Sequence, residues 1–155
     1  MVSENHFIKN PISQTDALSE EDAVTVLTES PKDYFKERDG VKFAGVHLII
    51  DCIGAKNLSS LEKIELCLRD AIDASGATLL HIHLHHFTPN GGISGVAVLA
   101  ESHISIHTWP ENGYAALDVF MCGDADPHKT IDIIKAAFEP QDLRCNEILR
   151  GKDVL

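Results

Sequence analysis

The sequence predicts an α+β fold: a two-layer α/β sandwich with a mostly antiparallel sheet and two helices on one face. Three observations predict it. Six apolar or alternating segments read as strands and two as amphipathic helices, in the order β-α-β-β-β-β-α-β. Four of the strands follow one another with only turns between them, which is the pattern of a sheet with segregated helices. The length, 155 residues with 44% hydrophobic, suits one domain with a buried core. Helices on one face leave the other sheet face in need of cover, so the fold also predicts a homodimer.

The elements follow in order. Phe43–Cys52 is β-branched and apolar, the composition of a buried strand. Ser59 followed by Glu62 forms a capping box. Leu61, Ile64, Leu68, Ala71 and Ile72 then fall on one helical face, and Gly76 supplies the stop. Thr78–Thr88 alternates as a strand does, and Pro89-Asn90-Gly91-Gly92 is a turn. Ile93–Ala100 and His103–Thr108 are strands with almost no linker between them. After the turn Pro110-Glu111-Asn112-Gly113, Tyr114–Met121 is another strand. Asp126 can cap a helix whose first residue is Pro127, with Ile131, Ile134 and Phe138 on its apolar face. Leu143–Leu149 is the last strand.

Charge narrows the class of partner. Lysine and arginine number 13 against 24 aspartates and glutamates, a formal net charge of −11. Such a surface repels phosphates, so no nucleic acid and no anionic membrane is expected as a partner. No apolar run reaches the roughly 18 residues that span a bilayer, and MVSENHFIKNPIS lacks an apolar signal core. Cys52, Cys67, Cys122 and Cys145 show no CxxC spacing, which favours free thiols and a cytoplasmic location. Residues 1–40 are polar, hold nine acids against four bases and are broken by Pro11 and Pro31. They read as an acidic N-terminal extension, partly disordered or loosely docked, ahead of a domain over 41–155.

Four features invite chemistry. His81, His83 and His85 share one face of a strand and could ligate zinc. Their spacing of roughly 6.5–7 Å, set by the strand rise, opposes convergence on one ion. Histidines on a half-buried or interface-facing strand are the favoured reading, with a metal-binding interaction module as the alternative. Among the thiols, Cys122 stands apart because it follows a strand and precedes Gly123, where a loop meets an edge. Ser94 in Gly92-Ile93-Ser94-Gly95 misses the hydrolase elbow, because the second glycine comes one residue early.

The fourth feature is the junction Glu101-Ser102, where two strands abut with no room for a relaxed turn. A serine hydroxyl there can attack the carbonyl before it and form an ester through an oxyoxazolidine. Loss of the serine α-proton then expels the Glu101 carboxylate and leaves dehydroalanine, which water converts to a pyruvoyl group with release of ammonia. A polar strand edge accounts for these residues equally well when they are taken alone.

They continue, however, as Ala100-Glu101-Ser102-His103-Ile104-Ser105-Ile106-His107-Thr108-Trp109-Pro110-Glu111, then Gly113-Tyr114-Ala115-Ala116 and Asp118-Val119-Phe120-Met121-Cys122-Gly123. With Ser75-Gly76-Ala77-Thr78, His86-Phe87 and Ile93-Ser94-Gly95-Val96, this series closely resembles the small prokaryotic S-adenosylmethionine decarboxylase proenzymes. The resemblance covers about residues 41 to 150, with a turn at Pro89–Gly92 one residue longer than in some members. It implies self-cleavage between Glu101 and Ser102, with Ser102 becoming the pyruvoyl cofactor in place of pyridoxal phosphate and with no metal required. It implies that Ser94 stabilises the oxyoxazolidine, that His107 takes the α-proton, and that Cys122 returns a proton after carbon dioxide leaves. It further implies that Phe87 and Trp109 stack on the adenine of S-adenosylmethionine, that Glu111 accepts from the ribose hydroxyls, and that processed protomers pair with their sites at the interface. The activity implied is that of a carboxy-lyase making the aminopropyl donor for spermidine. Some relatives act on arginine or ornithine, which stands as the alternative substrate class.

Overall fold

The computed structural model describes residues 35–152 and 154. Of the extension read over 1–40, residues 1–34 lie outside the described residues. The rest begins a hairpin that the sequence reading passed over: β1 (Lys36–Arg38) pairs antiparallel with β2 (Val41–Phe43). Asp39 and Gly40 form its turn, with φ of 53° and 77°. That is the two-residue turn whose twist matches flanking strands.

β3 (Gly45–Ile53) leads through a loop to α1 (Leu61–Ser75), which crosses to β4 (Leu79–His86). β5 (Ile93–Leu99), β6 (Ser102–Trp109) and β7 (Tyr114–Cys122) then form a meander with β4. A 3₁₀ turn at Pro127–Lys129 and α2 (Thr130–Phe138) carry the chain to β8 (Asp142–Arg150). The sheet order is β4-β5-β6-β7-β3-β8, and each neighbouring pair is antiparallel. This is the α+β architecture expected, with the sheet antiparallel throughout its described strands.

Helix boundaries follow local chemistry, with two shifts from expectation. The N-cap of α1 is Ser60, not Ser59: the Ser60 hydroxyl accepts from the Lys63 amide at 3.3 Å. The third helical residue is thus a lysine, and the reciprocal half of a capping box is absent. Leu61 opens the helix and stays 43% exposed, while Ile64, Cys67, Leu68, Ala71 and Ile72 are buried. Gly76 closes α1 at φ 77°, with Gly76 N–H donating to Asp73 and Ala77 N–H to Ile72. Those two bonds satisfy the last carbonyls. Asp126 caps as expected, but the turn it caps is 3₁₀, and the α-helix proper begins at Thr130.

Alternation along the strands sorts the sheet into two faces. Val46, Leu48, Ile50 and Cys52 of β3, Ile104 and Ile106 of β6, and Leu117, Val119 and Met121 of β7 pack beneath the helices. The opposite face carries His47, Ile49 and Asp51, His103, Ser105 and His107, and Asp118 and Phe120. Asp118 there accepts from Ser105 Oγ at 3.1 Å and lies 3.2 Å from His47 Nε2. His81, His83 and His85 line the same face on edge strand β4. Among the described residues no group of three or more His, Cys, Asp or Glu gathers around a common point.

Candidate active site

The residues singled out in the sequence fall into two clusters, one at each end of β6. Ser102 opens the strand and His107 lies five residues on, so about 16 Å separates them at the usual rise. An odd spacing also puts them on opposite faces. Ser102 points toward the helices and is 8% exposed, while His107 stands on the open face.

The first cluster surrounds the Glu101–Ser102 bond. Leu99 pairs with Ser102, leaving Ala100 and Glu101 as a two-residue turn. Glu101 holds φ at 61°, a left-handed conformation that costs a residue with a Cβ about 1–2 kcal/mol. The Ser102 hydroxyl accepts from the Cys122 amide at 3.1 Å. Glu101, Cys122, Thr78, Ala100 and Ala125 line a cavity of about 240 Å³ there. Burial pushes the Cys122 thiol above its ordinary value, Glu101 pushes it further, and Lys36 pulls it back in part. The thiol is therefore neutral at physiological pH, as a proton donor must be.

The second cluster lies where β5 and β6 emerge at the Pro89–Gly92 turn. Ser94 and His107 are cross-strand partners, with Ser94 Oγ 2.8 Å from His107 Nδ1. They share a cavity of about 250 Å³ with Phe87, Trp109 and Glu111. Phe87 and Trp109 are 49% and 39% exposed, large aromatic faces left open to solvent. Thr108 fastens the floor: its hydroxyl accepts from the Ile93 amide and donates to the Leu58 carbonyl, both at 2.8 Å.

Three supporting residues escaped the sequence reading. Gly45 faces Cys122 across β3 and β7, and a Cβ there would lie 2.9 Å from the thiol sulfur and 2.7 Å from the Met121 carbonyl oxygen. Nothing in the sequence marks it. Tyr114 stacks on Trp109, ring centroids 5.2 Å apart, and its hydroxyl donates to Asp51 at 2.5 Å. The Trp109–Tyr114 register across one short turn was the available signal. Lys36 sits in the hairpin that the Asp39-Gly40 pair announces, and it donates to the Ala125 carbonyl at 2.6 Å.

A larger cavity of about 350 Å³ lies elsewhere, between α1 and α2. Its one thiol, Cys67, is pushed up to about 12 by burial and neighbouring acids, which removes it as a nucleophile. All four cysteines are free. No described helix is long and apolar enough to cross a membrane.

The chain is similar to known proteins of one family. Residues 46–151 match the family model described as S-adenosylmethionine decarboxylase. A proenzyme of that name from Thermomicrobium roseum is 43% identical over 112 residues, 72% of this chain and 97% of the relative. One from Methanococcus maripaludis is 48% identical over 114 residues, 72% of this chain and 93% of the relative. The crystal structure of the adenosylmethionine decarboxylase from Aquifex aeolicus VF5 superposes with a TM-score of 0.64 at 34% identity, covering 70% of this chain and 92% of that one. The chain belongs to the S-adenosylmethionine decarboxylase family.

Proposed function

We propose that the protein is a self-processing S-adenosylmethionine decarboxylase, cut between Glu101 and Ser102 and active as a cytoplasmic homodimer whose product is the aminopropyl donor for spermidine. The observation that carries the processing step is the junction itself: a left-handed Glu101 followed by a buried serine hydroxyl beside the Cys122 amide. In this reading the Ser102 oxygen attacks the Glu101 carbonyl beside a strained turn, and the shift of the acyl group from nitrogen to oxygen relieves that strain. Elimination then removes the Ser102 α-proton, breaks its Cβ–Oγ bond and releases the Glu101 carboxylate. Water then converts the dehydroalanine left at 102 to a pyruvoyl group with loss of ammonia, next to a cavity lined by Glu101 and Cys122. When formed, that group supplies the electron sink that carboxyl loss requires.

The distance along β6 supports the dimer. His107 cannot reach the Ser102 α-proton within one chain, nor can Ser94 reach the Glu101 carbonyl. A second copy laid against the open face in antiparallel sense brings its aromatic end to the first copy's cleavage end. The exposed Ile49, Val98, Trp109 and Ile148 on that face provide apolar surface for the contact. Each site then takes Ser102 and Cys122 from one copy and Ser94, His107, Phe87, Trp109 and Glu111 from the other.

Within such a site the chain's own groups divide the work. Phe87 and Trp109 offer faces for a purine, and aromatic faces also attract a sulfonium. Glu111, which lines the same cavity, accepts from ribose hydroxyls in this reading. The Cys122 thiol, held neutral, delivers a proton to the carbon that lost its carboxylate. This aromatic cavity favours a nucleoside substrate over arginine or ornithine, which carry no ring to stack.

Intact mass spectrometry tests the reading. The purified protein should yield two chains, one ending at Glu101 and one beginning at residue 102 with a pyruvoyl mass in place of serine. Ser102→Ala should remain a single chain. Release of carbon dioxide from S-adenosylmethionine, but not from arginine or ornithine, should accompany the cut. A mature protein that is uncut yet active would overturn the proposal.

A further inference from the structure

The family match begins at residue 46, yet a cation from ahead of it is bonded to a residue that lines the cavity around Cys122. Lys36, on β1, donates to the carbonyl of Ala125, which lines that cavity together with Glu101 and Cys122. The hairpin is held there independently of the lysine. Arg38 forms a 2.6 Å ion pair with Glu147, which also meets His128 Nε2 at 2.7 Å. Arg38 additionally lies over the Phe43 ring, 5.8 Å from its centroid. A lysine on a three-residue strand is thus aimed at the cleavage end of the site by a clamp of its own.

The geometry points to Lys36 as a positioning residue for the Cys122 proton donor, a cation that offsets the carboxylates of Glu101 beside the thiol. This rests on the reading of Cys122 as the donor. Charges face the thiol from several elements. Glu101 comes from the β5–β6 turn, Asp124 from the loop after β7, and Lys36 from β1. On β3 the facing residue is Gly45, which brings none, with Arg150 of β8 beyond it in register.

Self-cleavage makes the cation matter more. The elimination step leaves its electron pair on the departing carboxylate, so mature Glu101 carries a chain-terminal carboxylate as well as its side chain. Negative charge beside a thiol raises its pKa, and a weaker acid protonates a carbanion more slowly at neutral pH. Glu101 raises the thiol and Lys36 lowers it, so removing Lys36 moves the thiol upward.

The test is the pH dependence of alkylation of mature full-length protein by iodoacetamide, read at the Cys122 peptide by mass so that exposed Cys145 does not interfere. Lys36→Gln keeps a donor for the Ala125 carbonyl and loses the charge, Lys36→Met loses both, and Lys36→Arg keeps both. In the Gln and Met variants the alkylation midpoint should rise by about half to one pH unit, with the alkaline limb of turnover moving the same way. Lys36→Arg should behave as wild type. Wild-type midpoints in both Lys36→Gln and Lys36→Met overturn the role of Lys36 and leave that of Cys122 standing. Full turnover by Cys122→Ala instead removes the thiol's role, and that of Lys36 with it.

Discussion

The two ends of β6 differ in almost every physical respect. At the Glu101–Ser102 end the backbone is left-handed at Glu101, the Ser102 hydroxyl is buried against the Cys122 amide, and the thiol is half-buried. The His107–Glu111 end is open, aromatic and exposed, with side chains that reach outward from the sheet. In the proposed function, one end transforms a peptide bond and then a substrate carbon, and the other recognises a flat ring and moves protons. The strand that joins them also holds them about 16 Å apart. In the proposed dimer, a reaction that needs both unites them from two molecules.

Mixed dimers break or sharpen that comparison most directly. Ser102→Ala and His107→Ala should each fail to mature when expressed alone. Co-expressed, they should form heterodimers in which one site has both residues mutated and the other has neither. Random pairing predicts cleavage and turnover near roughly a quarter of wild type. A complete absence of cleaved chain in the co-expressed sample would place each site within one protomer and refute the shared arrangement.

The order of elements from β3 onward and the stop at Gly76 were legible in the sequence because alternation, turn residues and glycine act locally. The α1 cap was misplaced by one residue because two serines stand side by side, and only the reach of the Ser60 oxygen to the Lys63 amide decides between them. The candidate site residues were singled out by type and motif, but their division into two clusters was not. Ser102 and His107 look close at five residues, and only an extended strand with alternating faces makes that spacing a separation. Gly45 was illegible for another reason. Its importance lies in which residue happens to sit opposite, and sequence alone does not give the register of β3 on β7.

Gly45→Ala probes the buried end with a smaller effect. The added methyl meets Met121 O at 2.7 Å and the Cys122 sulfur at 2.9 Å, closer than van der Waals contact allows. Relief requires β3 to shift or the thiol to turn, at a cost of about 1–3 kcal/mol. The variant should unfold earlier in urea and lose decarboxylation more than it loses maturation, because the thiol is displaced while Ser102 is not touched. Equal losses in both steps would mean that the glycine serves only the fold of the strand pair.

Tyr114→Phe probes the open end, and its effect should be the smallest. The Tyr114 ring lies under Trp109 at an interplanar angle of 27°, and its hydroxyl is tied to Asp51. That bond pushes the phenol above its ordinary value, so the hydroxyl remains protonated through neutral pH and keeps donating. Phenylalanine retains the stacking surface and loses the tether, leaving the indole free to rock over an otherwise unchanged floor. Because Trp109 is the only tryptophan in the chain, its fluorescence reports this site alone. The emission of Tyr114→Phe should shift, and KM should rise by about two- to tenfold, the scale of one exposed hydrogen bond, with kcat nearly unchanged. A fall in kcat at constant KM would instead tie Tyr114 to the chemical step and erase the division of labour between the two ends.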